Sequence, residues 1–236
     1  MKDDDEYTKL NITFGNSPLD FMNHGYAPSL NIIDDEDYIF KNQISLYLQM
    51  FDNIDMKNKN ILEIGCGRGG GISAIQKYLN PKELYACDLN YMNIEYCINN
   101  QNKDIKFKQC DAHSLDYPDN FFDVVINIES SHSYQEPDLF FKEVTRVLKH
   151  DGIFLYADTG NVIQEFMQYF KYFKKIIRED ITKNIEQSCR EDYDKFDKMI
   201  TNKDLKKVYM DIAKSKATRY SSVDDDYIKY IGYKER

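Results

Sequence analysis

Apolar residues along the chain alternate between two spacings. Segments of strand length, rich in apolar residues, occur at Ile61–Ile64, Glu83–Cys87, Ile105–Gln109, Phe121–Ile128 and Ile153–Ala157. Between them apolar residues recur every three or four positions, the period of a helix with one buried face. Ile72, Ile75, Tyr78 and Leu79 form one such face, residues around Ile94–Asn99 a second, and Leu139, Phe140, Val144, Val147 and Leu148 a third. Ahead of the first run, a helix is predicted to start near the acidic cluster Asp34–Asp37 and to bury Ile44, Tyr47, Leu48 and Phe51. Regular strand–helix alternation predicts an α/β, doubly wound, Rossmann-like sheet with right-handed crossovers. In such a sheet ligands bind beyond the carboxyl ends of the strands.

After Asp158 the pattern turns helical. Val162, Ile163, Phe166, Met167 and Phe170 are predicted to share one helix face, and Lys175–Arg178 could form a strand. Ile185, Cys189, Phe196 and Ile200 mark another helix, and Leu205, Val208, Tyr209 and Ile212 one more. Tyr227–Tyr233 alternates apolar and polar residues and reads as a closing strand. Residues 1–10 are expected to be a disordered acidic terminus. Residues 11–236 are expected to form a single domain: an N-terminal lid segment and helix (11–52), a cofactor-binding core (53–160), and substrate-lid helices with the last strands (161–236). No internal repeat or long linker divides them.

The richest stretch is Lys59–Gly71, where a buried strand runs into five glycines and then a helix. Glycines permit a tight turn, and the first turn of a helix presents unpaired N–H groups. Gly65, Gly67 and Gly70 fit the dinucleotide pattern G-x-G-x-x-G, while Gly65, Gly67 and Gly69 fit the G-x-G-x-G of S-adenosyl-L-methionine enzymes. Glu63 separates the two. Two residues before the first glycine, its carboxylate would attract the ammonium of S-adenosyl-L-methionine and repel a pyrophosphate.

Two acids follow at strand ends. Asp88 could accept both ribose hydroxyls, although a helix N-cap is the plainer role. Asp111, with small Ala112 beside it, suits an adenine amino group, or is simply a turn aspartate. Beyond the fourth strand His132 lies in Glu129-Ser-Ser-His-Ser-Tyr134. Histidine titrates near neutrality and can take a proton from a hydroxyl. Asp158, ending the fifth strand, could orient it; alternatively, His132 bonds loop backbone and Asp158 caps a helix. His24, His113 and His150 carry no evident role.

Composition narrows the field. The 236 residues carry 31 basic and 40 acidic side chains, a net charge of −9 with no long basic run, which disfavours nucleic acid and acidic membranes as partners. Five cysteines form no CxxC or metal spacing, so no metal is expected. Their odd count and the acidic first residues point to a reducing cytoplasm. No apolar run reaches membrane-spanning length.

On these residues the chain resembles class I S-adenosyl-L-methionine-dependent small-molecule methyltransferases, of the phthiotriolone/phenolphthiocerol dimycocerosate methyltransferase type. The likeness covers Asn23-His-Gly-Tyr26, Glu63–Gly71, Phe122–His132, Glu143-Val-Thr-Arg-Val-Leu148, Ala157-Asp158 and Asp180-Ile-Thr-Lys-Asn-Ile185. It implies a seven-stranded sheet with an antiparallel last strand, covered by N- and C-terminal lid elements. It also implies a cofactor pocket of Tyr26, Glu63, Gly65, Gly67, Gly69, Asp88, Leu89, Asp111, Ala112 and Ile128, with His132 and Asp158 as catalytic residues. Lys149-His-Asp-Gly152 departs from the family's usual turn, and the charged, tyrosine-rich final third leaves the acceptor open.

The expected reaction is methyl transfer to a hydroxyl of a small apolar metabolite, with a homodimer as one assembly state. C-methylation of an electron-rich carbon, a non-catalytic cofactor-binding protein and an NAD oxidoreductase are the rival readings. An Asn/Asp-Pro-Pro-Tyr/Phe segment, expected of a nucleic-acid amino-methyltransferase, is missing after the fourth strand.

Overall fold

The computed structural model describes residues 19–199 and 226–234, together with residues 8, 9, 11, 12, 15, 17, 203, 206, 207 and 210. A 3-10 turn, Asp35–Phe40, leads into α1, Lys41–Met50. Then come β1 (Asn60–Ile64), α2 (Gly70–Leu79), β2 (Glu83–Asp88), α3 (Tyr91–Asn100), β3 (Ile105–Gln109) and β4 (Phe122–Ile128). The second half holds α4 (Pro137–Val147), β5 (Leu148–Thr159), α5 (Gly160–Phe166), β6 (Lys175–Asp180), α6 (Thr182–Met199) and β7 (Tyr227–Tyr233).

The strands form one seven-stranded sheet in the order β3-β2-β1-β4-β5-β7-β6. Neighbours among β1–β5 pair in parallel, and β7 runs antiparallel to both β5 and β6. This is the architecture the alternation predicts. Side chains of one strand point alternately to the two faces, so each face has its own core. On one, Ile61, Val124, Ile126 and Leu155 pack with Tyr47 of α1, Ile72 and Ile75 of α2, Ile94 of α3, and Ile185 and Cys189 of α6. On the other, Leu62, Val125, Phe154 and Tyr156 pack with Phe140, Phe141 and Val144 of α4 and Phe166 of α5. Burial on both faces explains why β1 and β4 are mostly apolar rather than alternating.

Two expectations need correcting. Val162–Phe170 is no single helix: α5 stops at Phe166, a 3-10 turn spans Met167–Tyr172, and Met167 is exposed while Phe166 and Phe170 are buried. The tighter winding of a 3-10 turn rotates Met167 out of the line that a 3.6-residue period projects. The turn expected at Lys149–Gly152 lies inside β5, where the register against β4 shifts between Phe122 and Val124 and Asp151 adopts a φ of +60°. Tyr227–Tyr233 is the strand expected: β7 lies between β5 and β6, and six of its seven residues are buried. Its polar position is filled by Lys229, whose ammonium bonds Gln49 O (2.8 Å) and Glu179 Oε2 (3.2 Å). Leu205, Val208, Tyr209 and Ile212, which mark the last expected helix, lie outside the described residues, as do the side chains of Ile163, Phe196 and Ile200. Among the described residues no helix is long and apolar enough to cross a membrane.

Candidate active site

At the carboxyl ends of β1, β2 and β3 the structure gathers the glycines and the first three acids. Gly65, Gly67 and Gly69 all have positive φ, at +71°, +52° and +80°. The Gly65 and Cys66 amides both donate to Cys87 O (2.8 and 3.0 Å), locking the turn to β2. Gly71 serves packing: a Cβ there would lie 2.0 Å from the Tyr47 ring, so only glycine lets α1 reach across α2. Through that notch the Tyr47 hydroxyl donates to Glu63 Oε1 at 2.7 Å. Glu63 is buried and its Oε2 accepts no hydrogen bond. Burial pushes its carboxyl up to about 8; Tyr47 and the nearby Ile72 amide pull it down, and the charge of Asp88 pushes it further up.

Asp88 organises the turn. Its Oδ2 accepts from Gly67 N (2.8 Å), and its Oδ1 accepts from Asn90 N (2.9 Å) and Asn93 Nδ2 (3.1 Å). Beside it Leu89 is 55% exposed, an apolar surface at the mouth of this corner. Asp111 is half-exposed and caps its own turn, accepting from His113 N (2.8 Å) and sitting 2.7 Å from His113 Nδ1; Ala112 is buried beneath. The corner thus offers a buried, half-bonded Glu63 carboxyl, a helix N-terminus, the Asp88 carboxylate at the next strand end and an exposed leucine. That set fits a cationic amino acid joined to a nucleoside.

The other half lies at the ends of β4 and β5. Ile128 is buried in the core, and Glu129 turns the chain with a φ of +49°. A non-glycine residue in that region is uncommon and is held there by its surroundings. Ser131 and His132 follow in a 3-10 turn. Asp158 is fully buried: its Oδ2 accepts from Ser131 Oγ (2.8 Å), its Oδ1 accepts from Thr159 N (2.8 Å), and His132 Nδ1 stands 3.4 Å from Oδ1. Ser131 Oγ also meets the Tyr156 hydroxyl at 2.7 Å. The imidazole is 39% exposed, so one ring edge faces the buried carboxylate while the ring remains accessible. The structure therefore brings His132 and Asp158 together.

Histidine 24, unremarkable in the sequence, is buried at this site. Its ring Nδ1 bonds Glu129 Oε2, its backbone N–H donates to Glu129 Oε1 (2.8 Å), and the Tyr227 hydroxyl donates to the same oxygen (2.8 Å). Residues from the N-terminal segment, the β4 end and the β7 start converge there, and no local motif announces them. Around it the N-terminal segment is bound to α6: Ser188 Oγ donates to His24 O (2.9 Å), and Asn184 and Ala27 exchange bonds of 2.8 and 3.1 Å. Tyr26 is half-buried, with its N–H on Asn42 O (2.7 Å) and its phenol pushed up by burial and by the charges of Glu179 and Asp52.

The fold is that of class I methyltransferases, and residues 62–156 match the family described as "Methyltransferase domain". The chain is similar to the fatty-acid O-methyltransferase of Mycolicibacterium smegmatis, 39% identical over 142 residues that cover 58% of this chain and 52% of that protein. It is also similar to a probable phthiotriol/phenolphthiotriol dimycocerosates methyltransferase 2 of Mycobacterium ulcerans, 35% identical over 156 residues, or 64% of this chain and 60% of that one. The resemblance read from the sequence stands, and the chain spans just over half the length of these curated relatives. Among solved structures, the cyclopropane synthase MmaA2 from Mycobacterium tuberculosis superposes with a TM-score of 0.71 over 97% of this chain and 95% of that one, at 11% identity, which speaks for the fold.

Proposed function

We propose that this protein is an S-adenosyl-L-methionine-dependent methyltransferase acting on an oxygen of a small, lipid-like metabolite. The observation that carries the reading is the accessible His132 imidazole seated on the fully buried Asp158 carboxylate. The fit of the glycine corner supports the cofactor, and the relatives' names support the acceptor class. When bound, the cofactor supplies an electrophilic sulfonium methyl group.

Glu63 would hold its ammonium, Asp88 the ribose, and Leu89 with Asp111 and Ala112 the adenine. Backbone at Gly65, Gly67, Gly69 and Ile128 would line the path between them. His132 would take the proton from the acceptor hydroxyl at Nε2, because Nδ1 faces Asp158. Asp158 would keep the proton on Nδ1 and balance the imidazolium, while Ser131 and Thr159 N–H hold the carboxylate still. Tyr26, the bonded N-terminal segment and α6 would exclude water. A net charge of −9 disfavours a polyanionic acceptor.

The test is transfer of labelled methyl from the cofactor to a panel of long-chain hydroxylated and carboxylated lipids. Label on oxygen, formed by the wild type and lost in His132→Ala with cofactor affinity retained, supports the reading. Label on carbon, or full turnover by His132→Ala, would sink the assignment of the base.

A further inference from the structure

β6 is the outer strand of the sheet, and all six of its residues are exposed, with Ile176 and Ile177 each at 40%. Such an edge presents main-chain groups ready to pair with another strand. The ladder with β7 tells which groups these are. Ile181 N–H donates to Tyr227 O (3.0 Å), so the odd-numbered residues of β6 bond β7, and Ile176, Arg178 and Asp180 aim their main-chain groups outward.

Charges on an edge strand usually discourage pairing. Here their order, Lys175-Ile-Ile-Arg-Glu-Asp180, does the reverse. Lys175, Ile177 and Glu179 share one sheet face, opposite Tyr233, Ile231 and Lys229. In an antiparallel pairing of two copies about a two-fold axis normal to the sheet, facing residues must share a face, so the axis must pass through a residue. Centred on Ile177, the pairing sets Ile177 against itself, Lys175 against Glu179 of the second copy, and Ile176 against Arg178. Centring on Arg178 would oppose two arginines, and centring on Ile176 would oppose Lys174 to Arg178. Centring on Glu179 would set Arg178 against Asp180 but oppose two glutamates on the axis, so the Ile177 register is the one that brings unlike charges together without opposing like ones. It also places the outward main-chain groups of Ile176 and Arg178 face to face as a hydrogen-bonded pair. Glu179 already accepts from Lys229 (3.2 Å), and its side chain remains 47% exposed for a second cation.

We propose that β6 is a homodimer interface, through which two copies join their sheet edges antiparallel about Ile177. Interfaces of this symmetry use the same patch twice. Ile177 then faces its own copy at a non-hydrogen-bonded position, with Cα atoms roughly 4.5 Å apart.

Light scattering on the full chain, from low to high micromolar concentration, should give twice the 28.0 kDa chain mass. Ile177→Lys and Ile177→Asp should each dissociate about tenfold or more readily, through like charges on the axis, and an equimolar mixture of the two should dimerise again. Circular dichroism of each variant checks that it remains folded. Ile177→Cys should form an inter-chain disulfide on mild oxidation, since that separation lies within disulfide reach, whereas Ile176→Cys and Arg178→Cys should not. A monomeric wild type at every concentration overturns the proposal. So does a dimer indifferent to Ile177→Lys, which would put the interface elsewhere. Cross-linking through Arg178→Cys in place of Ile177→Cys would overturn the register.

Discussion

The two halves of the sheet's carboxyl edge are built differently. Around β1, β2 and β3, the glycine turn, Glu63 and Asp88 sit within about one strand–helix–strand unit, and the Gly67–Asp88 bond spans 21 positions. Around β4 and β5, Glu129 bonds His24 across 105 positions and Tyr227 across 98. The first half is a local device that a short sequence specifies, because one crossover brings its parts together. The second exists only when the whole chain has folded, since its members come from the N-terminal segment, two strand ends and the last strand. On the proposed reading, the cofactor side is set by local sequence while the acceptor side depends on distant segments.

The sharpest break between the halves is expected at His132. His132→Ala should slow methyl transfer by about 10²–10⁴-fold with cofactor affinity unchanged in calorimetry, because the proposed base would act on the acceptor side alone. Loss of both together would mean the halves are not separable.

The next effect belongs to the cofactor half. Glu63 is held at about 8, against an ordinary value of 4.5. Between those values the folded chain keeps a proton that the unfolded chain has released, so stability falls as pH rises through that window. From pH 5 to pH 8 the loss should be about 3 kcal/mol, and Glu63→Gln should remove it. Urea unfolding at the two pH values, on wild type and variant, checks the slope; equal slopes would place the proton elsewhere.

Asp88→Ala should weaken cofactor binding by about 1–3 kcal/mol, the scale of a lost charged hydrogen bond, and leave the His132–Asp158 geometry intact. Unchanged affinity in a folded variant would remove Asp88 from the pocket. The smallest effect is expected at Ser131. Ser131→Ala deletes one bond to Asp158 and one to Tyr156, costing about 0.5–1.5 kcal/mol per bond in thermal unfolding. It should lower the catalytic rate more than it raises KM for the acceptor, since Asp158 would hold His132 less firmly.

The sequence by itself determined the sheet and the glycine turn at its carboxyl edge. Strand and helix periods depend on neighbours a few residues apart, and β3 and β7 lie where the apolar pattern puts them, Ile105–Gln109 and Tyr227–Tyr233. The pairing of His132 with Asp158 was half legible, because one follows the fourth strand and the other ends the fifth. What only the tertiary structure decided is which solvent-like residues are buried and against what. His24, Lys229 and Tyr47 look ordinary in sequence. Each is fixed by a partner brought close through folding: Glu129, the Gln49 carbonyl with Glu179, and Glu63. Burying a polar group is costly unless it is bonded. That constraint acts through contacts between distant segments and leaves no periodic trace along the chain.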